Sequence, residues 1–136
     1  MEKSEDFKIL DSIGNYRLVV SYPSAADNMF FHGKPNDTSA IIQLVMVDPM
    51  TSTEKQLITW SADNKLQTVA EKTSKGPEML FGPHHGGPTD TLKKIPSLVK
   101  AISPKQCFLS FATKNGYGHP KETYVQRLVS SGCEII

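Results

Sequence analysis

The sequence predicts a mixed α/β domain in which antiparallel strands come first and strands alternating with helices follow. Three observations carry this. Residues 16–60 hold three runs rich in β-branched and aromatic residues, "YRLVVSY", "SAIIQLVMV" and "KQLITW". Residues 62–132 hold three segments whose apolar residues recur at helical spacing, divided by the short apolar runs "EMLFG" and "QCFLSFAT". The chain has 136 residues, which suits one domain able to bury roughly two-thirds of its unfolded surface.

In chain order, residues 1–15 are charged and weakly patterned, and read as a short helix or a loose lead-in to a domain spanning 16–136. Residues 16–22 are a strand. Residues 23–38 are dense in Pro, Asn, Asp and Gly and read as a long loop. Residues 39–47 form a nearly continuous apolar strand, so a buried one. "DPMTST" is a turn, and with residues 55–60 it closes a hairpin. Residues 62–76 spell a helix with Leu66, Val69 and Ala70 on one face and Gly76 as its stop. Residues 78–82 are a short strand running into "PHHGG". Residues 89–103 are helical with a break, because Pro96 is acceptable only as the first residue of a new helix. Residues 106–113 are a strand and "KNGYGHP" is a glycine-rich loop. Pro120 starts the clearest helix, with Glu122 in its first turn, Val125, Leu128 and Val129 as its apolar stripe and Gly132 as its end. "CEII" is the last strand.

The net charge of +1 excludes a general polyanion binder. The charge is uneven, though. Residues 1–80 carry 8 Lys and Arg against 11 Asp and Glu, and residues 81–136 carry 7 against 3. The basic half suits a phosphate-bearing ligand. Cys107 and Cys133 make no CxxC motif and read as buried free thiols of a reducing compartment. No signal peptide opens the sequence and no apolar run approaches 18 residues, so a cytoplasmic location is expected.

The histidines carry the chemistry. His84 and His85 follow a strand, where a loop lets both reach one site, and Gly86 and Gly87 let backbone approach a ligand. Neutral imidazole is the commonest metal ligand and a general acid or base near neutral pH. Asp63, just past a strand end, is placed to bind metal or to cap the helix that follows; on the residues alone capping is the better reading. His119 stands immediately before the Pro120 helix start and reads as a flanking residue until set beside the HHGG loop. His32 reads as a surface histidine of the long loop. No GxSxG, Walker-type loop or GxGxxG is present.

Taken in order, "NDTSAIIQLV", "QLITWSAD", "MLFGPHHGG" and "NGYGHPKETYVQRLVSSGCEI" resemble the second half of a metallo-β-lactamase-fold domain. The hydrolase domains of the ComEC/Rec2 competence-protein type are the nearest likeness. In that group a strand ends in a Thr-Gly-Asp-like motif, a later one in Pro-His-His-Gly, and an Asn-x-Tyr-Gly-His-Pro loop precedes the last helix. The resemblance covers residues 16–136 and implies half of an αββα sandwich. It implies Asp63 and His85 as metal ligands, with Ser61-Ala62-Asp63 standing where Thr-Gly-Asp is usual. It makes His84 a neighbour of the metal or of the substrate, and turns His119 toward substrate phosphate. The His-x-His-x-Asp-His motif of the fold's first half is not in this sequence, and stable Zn²⁺ sites use three or four protein ligands.

The resemblance therefore implies the C-terminal portion of a metal-dependent phosphodiesterase or nuclease-like hydrolase. Zn²⁺ would be held only with ligands from another chain, and a complementary half-domain or a second copy is the expected partner. A phosphate-bearing or nucleic-acid substrate would follow. The alternative is a non-catalytic, degenerate domain serving as a binding or scaffold module. A third reading is an unrelated small α/β domain that binds an anion at the HHGG loop.

Overall fold

The computed structural model describes residues 7–21, 39–73, 76–82, 84–87 and 90–136. The loop expected over 23–38, with His32, and the first six residues lie outside the described residues.

Seven strands among the described residues form one sheet in the order β1-β2-β3-β4-β5-β6-β7. They are β1 Phe7–Ile13, β2 Tyr16–Ser21, β3 Ile41–Val47, β4 Glu54–Trp60, β5 Met79–Phe81, β6 Gln106–Phe108 and β7 Glu134–Ile135. Strands β1 to β4 pair antiparallel, and β4 to β7 pair parallel. Three helices fill the parallel crossovers: α1 Leu66–Lys72, α2 Ile95–Ile102 and α3 Glu122–Ser130. The expected arrangement, antiparallel strands followed by strand–helix alternation, is the one observed.

Each element has a local cause. The β3–β4 hairpin turns on Asp48, whose carboxylate accepts the backbone N–H groups of Met50 (2.8 Å) and Thr51 (3.2 Å). Helix α1 starts four residues later than the apolar spacing predicts. Asn64 locks the preceding turn, its side-chain N–H₂ donating to the carbonyls of Ser61 and Ser39, both at 2.8 Å. Pro96 is the second residue of α2, one place later than expected but still in its first turn, and Ser103 ends that helix in a left-handed conformation.

Four further expectations change in the strands, the last helix and the cysteines. The lead-in is neither helical nor loose over residues 7–13: it forms β1, joined to β2 through Gly14 at φ +57. Its alternation is hard to see in the sequence because the register shifts between Ile9 and Asp11. Strand β6 stops at Phe108 rather than Thr113, since β5 ends opposite it and offers no further partner. The buried stripe of α3 is Tyr124 and Leu128, while Val129 is exposed.

The fourth change concerns the cysteines. Cys107 and Cys133 are buried as expected, but they form a disulfide with Cα atoms 6.0 Å apart. Parallel pairing of β6 with β7 brings together residues separated by 26 positions, which spacing alone does not reveal. The expectation of free thiols, and the argument from them for a reducing compartment, is overturned, because disulfides persist chiefly in oxidising compartments. Among the described residues no helix is long and apolar enough to cross a membrane.

The core lies between the sheet and its helices. Leu80 and Cys107 on the inner face pack with Leu66, Val69, Ile95, Val99, Ile102, Tyr124 and Leu128. Burying each large aliphatic side chain contributes about 1.5–3 kcal/mol. Alternation sends Trp60, Phe81 and Phe108 to the opposite face, where they stack in a ladder with centroids 5.7 and 4.7 Å apart.

Asp90 rather than Asp63 caps α1. Its carboxylate accepts the N–H groups of Leu66 (2.9 Å) and Gln67 (3.3 Å) from 24 residues downstream, while Lys65 at the N-cap makes no capping bond. Asp90→Ala is expected to cost about 1 kcal/mol, the usual loss for a cap, read as a lower urea midpoint with an unchanged slope.

Candidate functional site

The parallel strands β4, β5 and β6 end level with one another, Trp60 opposite Phe81 and Phe81 opposite Phe108. Ligand sites in parallel sheets form where chains leave the carboxyl ends of their strands. Here the three chains lead to Asp63, to His84 and His85, and to His119.

Backbone hydrogen bonds knit these three exits together. Ser61 donates N–H (2.9 Å) and Oγ–H (2.8 Å) to the Phe81 carbonyl. Gly82 N–H reaches Phe108 O at 3.1 Å, and His84 N–H reaches Ala62 O at 3.2 Å. Lys121 N–H reaches Gly86 O at 2.9 Å. The backbone is strained at this point: Ala62, His84 and His85 have φ of +49, +43 and +54. Such conformations cost roughly 1–3 kcal/mol each and cluster where function requires them.

Asp63, freed from capping by Asp90, meets His85. Its Oδ1 lies 3.3 Å from His85 Nε2, and both side chains are accessible, 37% and 55% exposed. His85 Nδ1 forms a short hydrogen bond with the carbonyl oxygen of Ser110. A carbonyl can only accept, so Nδ1 carries a proton and donates it. Nε2 then faces the carboxylate in one of two ways. It holds a second proton as an imidazolium, or it offers its lone pair together with the carboxylate to a cation. A carbonyl anchoring the far nitrogen is also how metal-ligating histidines are commonly oriented.

His119 lies on the other side of the HHGG turn. Its ring packs against Gly87, where an added Cβ would come within 2.5 Å of Cε1 and Nε2. A 3₁₀ turn over His84–Gly86 presents His84 to the edge of that ring, with centroids 5.2 Å apart. Tyr117 stacks on His119 at 6.0 Å. The backbone of His119 is clamped by one side chain: Asn115 accepts its N–H (2.9 Å) and donates to its carbonyl (2.7 Å). His119 Nδ1 is buried and has no hydrogen-bond partner among the described residues. A cleft of about 290 Å³, lined by His85, His119, Asn115, Phe111 and Tyr117, opens beside the two imidazoles.

Burial holds the His119 pKa below its ordinary 6.5, helped by the charges of His84, Lys121 and His85 and opposed by Asp63. The unfolded chain therefore takes up a proton near pH 6.5 that the folded chain refuses until lower pH. Stability falls as pH drops through that window and levels off below it. His119→Gln is expected to remove this share of the acid-side loss, measured by urea unfolding of metal-free protein between pH 5 and 7.5.

All four residues expected at the site, Asp63, His84, His85 and His119, converge there. Among the described residues no three of His, Cys, Asp or Glu form a group that could hold a metal ion. Sequence reasoning missed Ser110, whose role is its carbonyl and so leaves no side-chain signal. It also left unassigned Asn115 and Tyr117, although both stand in the "NGYGHP" loop. Compared with models of known families, with curated proteins and with solved structures, the chain gives no match.

Proposed function

We propose that the chain is the C-terminal half of a metal-dependent phosphodiesterase, with Asp63 and His85 as one edge of a Zn²⁺ site completed by another chain. The observation that carries this is the 3.3 Å separation of His85 Nε2 and Asp63 Oδ1, with Nδ1 donating to Ser110. Two tetrahedral ligands ~2.0–2.1 Å from a common Zn²⁺ lie roughly 3.3 Å apart. The donors fit one edge of a zinc tetrahedron and not the whole of it, in keeping with the missing His-x-His-x-Asp-His motif.

The metallo-β-lactamase likeness has further support in Ala62. It occupies a left-handed conformation (φ +49) at the place where the family motif carries glycine. In the half-sandwich reading, the aromatic ladder of Trp60, Phe81 and Phe108 is the face that meets the complementary half, because buried sheet faces are the apolar ones.

Bound Zn²⁺ would supply an activated water at neutral pH. The chain's own residues supply the rest. Asp63 and His85 hold the cation, and Ser110 fixes the His85 tautomer. His84 and His119 face the substrate phosphate, with the Lys121 ammonium nearby over Gly118.

The test is complementation. The chain is mixed with a polypeptide carrying the His-x-His-x-Asp-His half and assayed on bis(p-nitrophenyl) phosphate with Zn²⁺. Hydrolysis is expected in the mixture and in neither component alone. Hydrolysis by the chain alone, with a stoichiometric dinuclear centre, would overturn the proposal. A second reading, a non-catalytic scaffold, draws on the absence of a third ligand among the described residues. A stable mixture without hydrolysis would favour it.

A further inference from the structure

Aromatic residues are costly to leave in water, and two of them line the cleft beside the imidazoles. Tyr117 is 81% exposed and Phe111 47% exposed. Neither supports the core. Tyr117 extends the His119 ring into a stacked platform, and Phe111 lies just past Ser110, the residue that anchors His85. Exposed aromatic walls next to a few convergent polar groups are the usual make-up of a small-ligand subsite, and aromatic faces prefer flat ring partners.

Charge and size narrow the ligand. The cleft sets Phe111 and Tyr117 beside His85 and His119, and the Lys121 ammonium lies over Gly118 in the same loop. The imidazoles suit an anion and the aromatic faces beside them suit a ring. About 290 Å³ accommodates a ring with one phosphate, but not a long apolar chain.

We infer that Phe111 and Tyr117 form a subsite for the planar ring of a small phosphate ester, making aryl or heteroaryl phosphates the preferred substrate class. This rests on the phosphate-facing role proposed for His84 and His119, and adds what selects the organic group.

The test uses the full chain and three probes, phenyl phosphate, cyclohexyl phosphate and methyl phosphate, titrated by calorimetry and followed by NMR shifts of the His119 region. Phenyl phosphate is expected to bind about tenfold more tightly than methyl phosphate, with cyclohexyl phosphate well below phenyl. In Phe111→Ser/Tyr117→Ser the ratio of phenyl to methyl phosphate affinity should fall below about twofold. Both side chains are exposed, so the variant is expected to fold, as circular dichroism would confirm. Equal binding of the three probes, or a phenyl preference that survives the double substitution, overturns the ring subsite and leaves the phosphate site standing. Binding of none of the probes overturns both.

Discussion

Replacing His85 is expected to lower Zn²⁺ affinity and complemented hydrolysis by more than about 100-fold while leaving the fold intact. The magnitude follows from position. Loss of an outer partner of a metal ligand alone costs ~10–100-fold, so loss of the ligand should exceed that range. The choice of variant matters, because His85 has φ +54. Asparagine tolerates the left-handed region better than other non-glycine residues. His85→Asn therefore removes Nε2 while keeping the turn. With the His85 side chain 55% exposed, the stability change should stay within about 0.5 kcal/mol. Asp63→Asn should behave similarly, since α1 takes its cap from Asp90. A variant that unfolds, or one that hydrolyses as well as the parent, would contradict the assigned role.

The second large effect is structural. The disulfide closes a loop with a sequence separation of 26. Chain-entropy reasoning gives about 3.5 kcal/mol of stability from a loop of that length, or a midpoint roughly 12 °C higher for a chain of this size. It staples the weakest edge of the sheet, where β6 and β7 pair through only Gln106–Glu134 and Cys107–Ile135. Cys107→Ala/Cys133→Ala, or reduction under denaturing conditions followed by refolding in reductant, should show that loss. Two free thiols found on denaturing the protein without reductant would show that the pair is not joined.

Much of this was legible in the sequence, and the failures have physical causes. The strands from 16 to 60 and the three helices follow from apolar spacing and turn chemistry, because each depends on neighbours along the chain. The convergence of Asp63, His84, His85 and His119 is what the family resemblance implies, whereas the residues alone favour a cap for Asp63 and a flanking role for His119. What stayed hidden depends on contacts across the sheet. The Cys107–Cys133 bond needs the β6–β7 pairing, the Asp90 cap comes from 24 residues away, and the Ser110 anchor is a backbone atom. Strand β1 was obscured by its register shift at Ile9 and Asp11. On the residues alone Asp63 reads as a cap, because sequence distance favours a local carboxylate over the remote Asp90.

Zinc content separates the readings most directly. The chain is purified alone and in complex with a half-domain carrying His-x-His-x-Asp-His, and bound zinc is measured per chain by mass spectrometry. The account predicts well under one zinc for the chain alone and at least one in the complex, lost again in His85→Asn. A full dinuclear centre in the chain alone, or a stable complex without zinc, would contradict it.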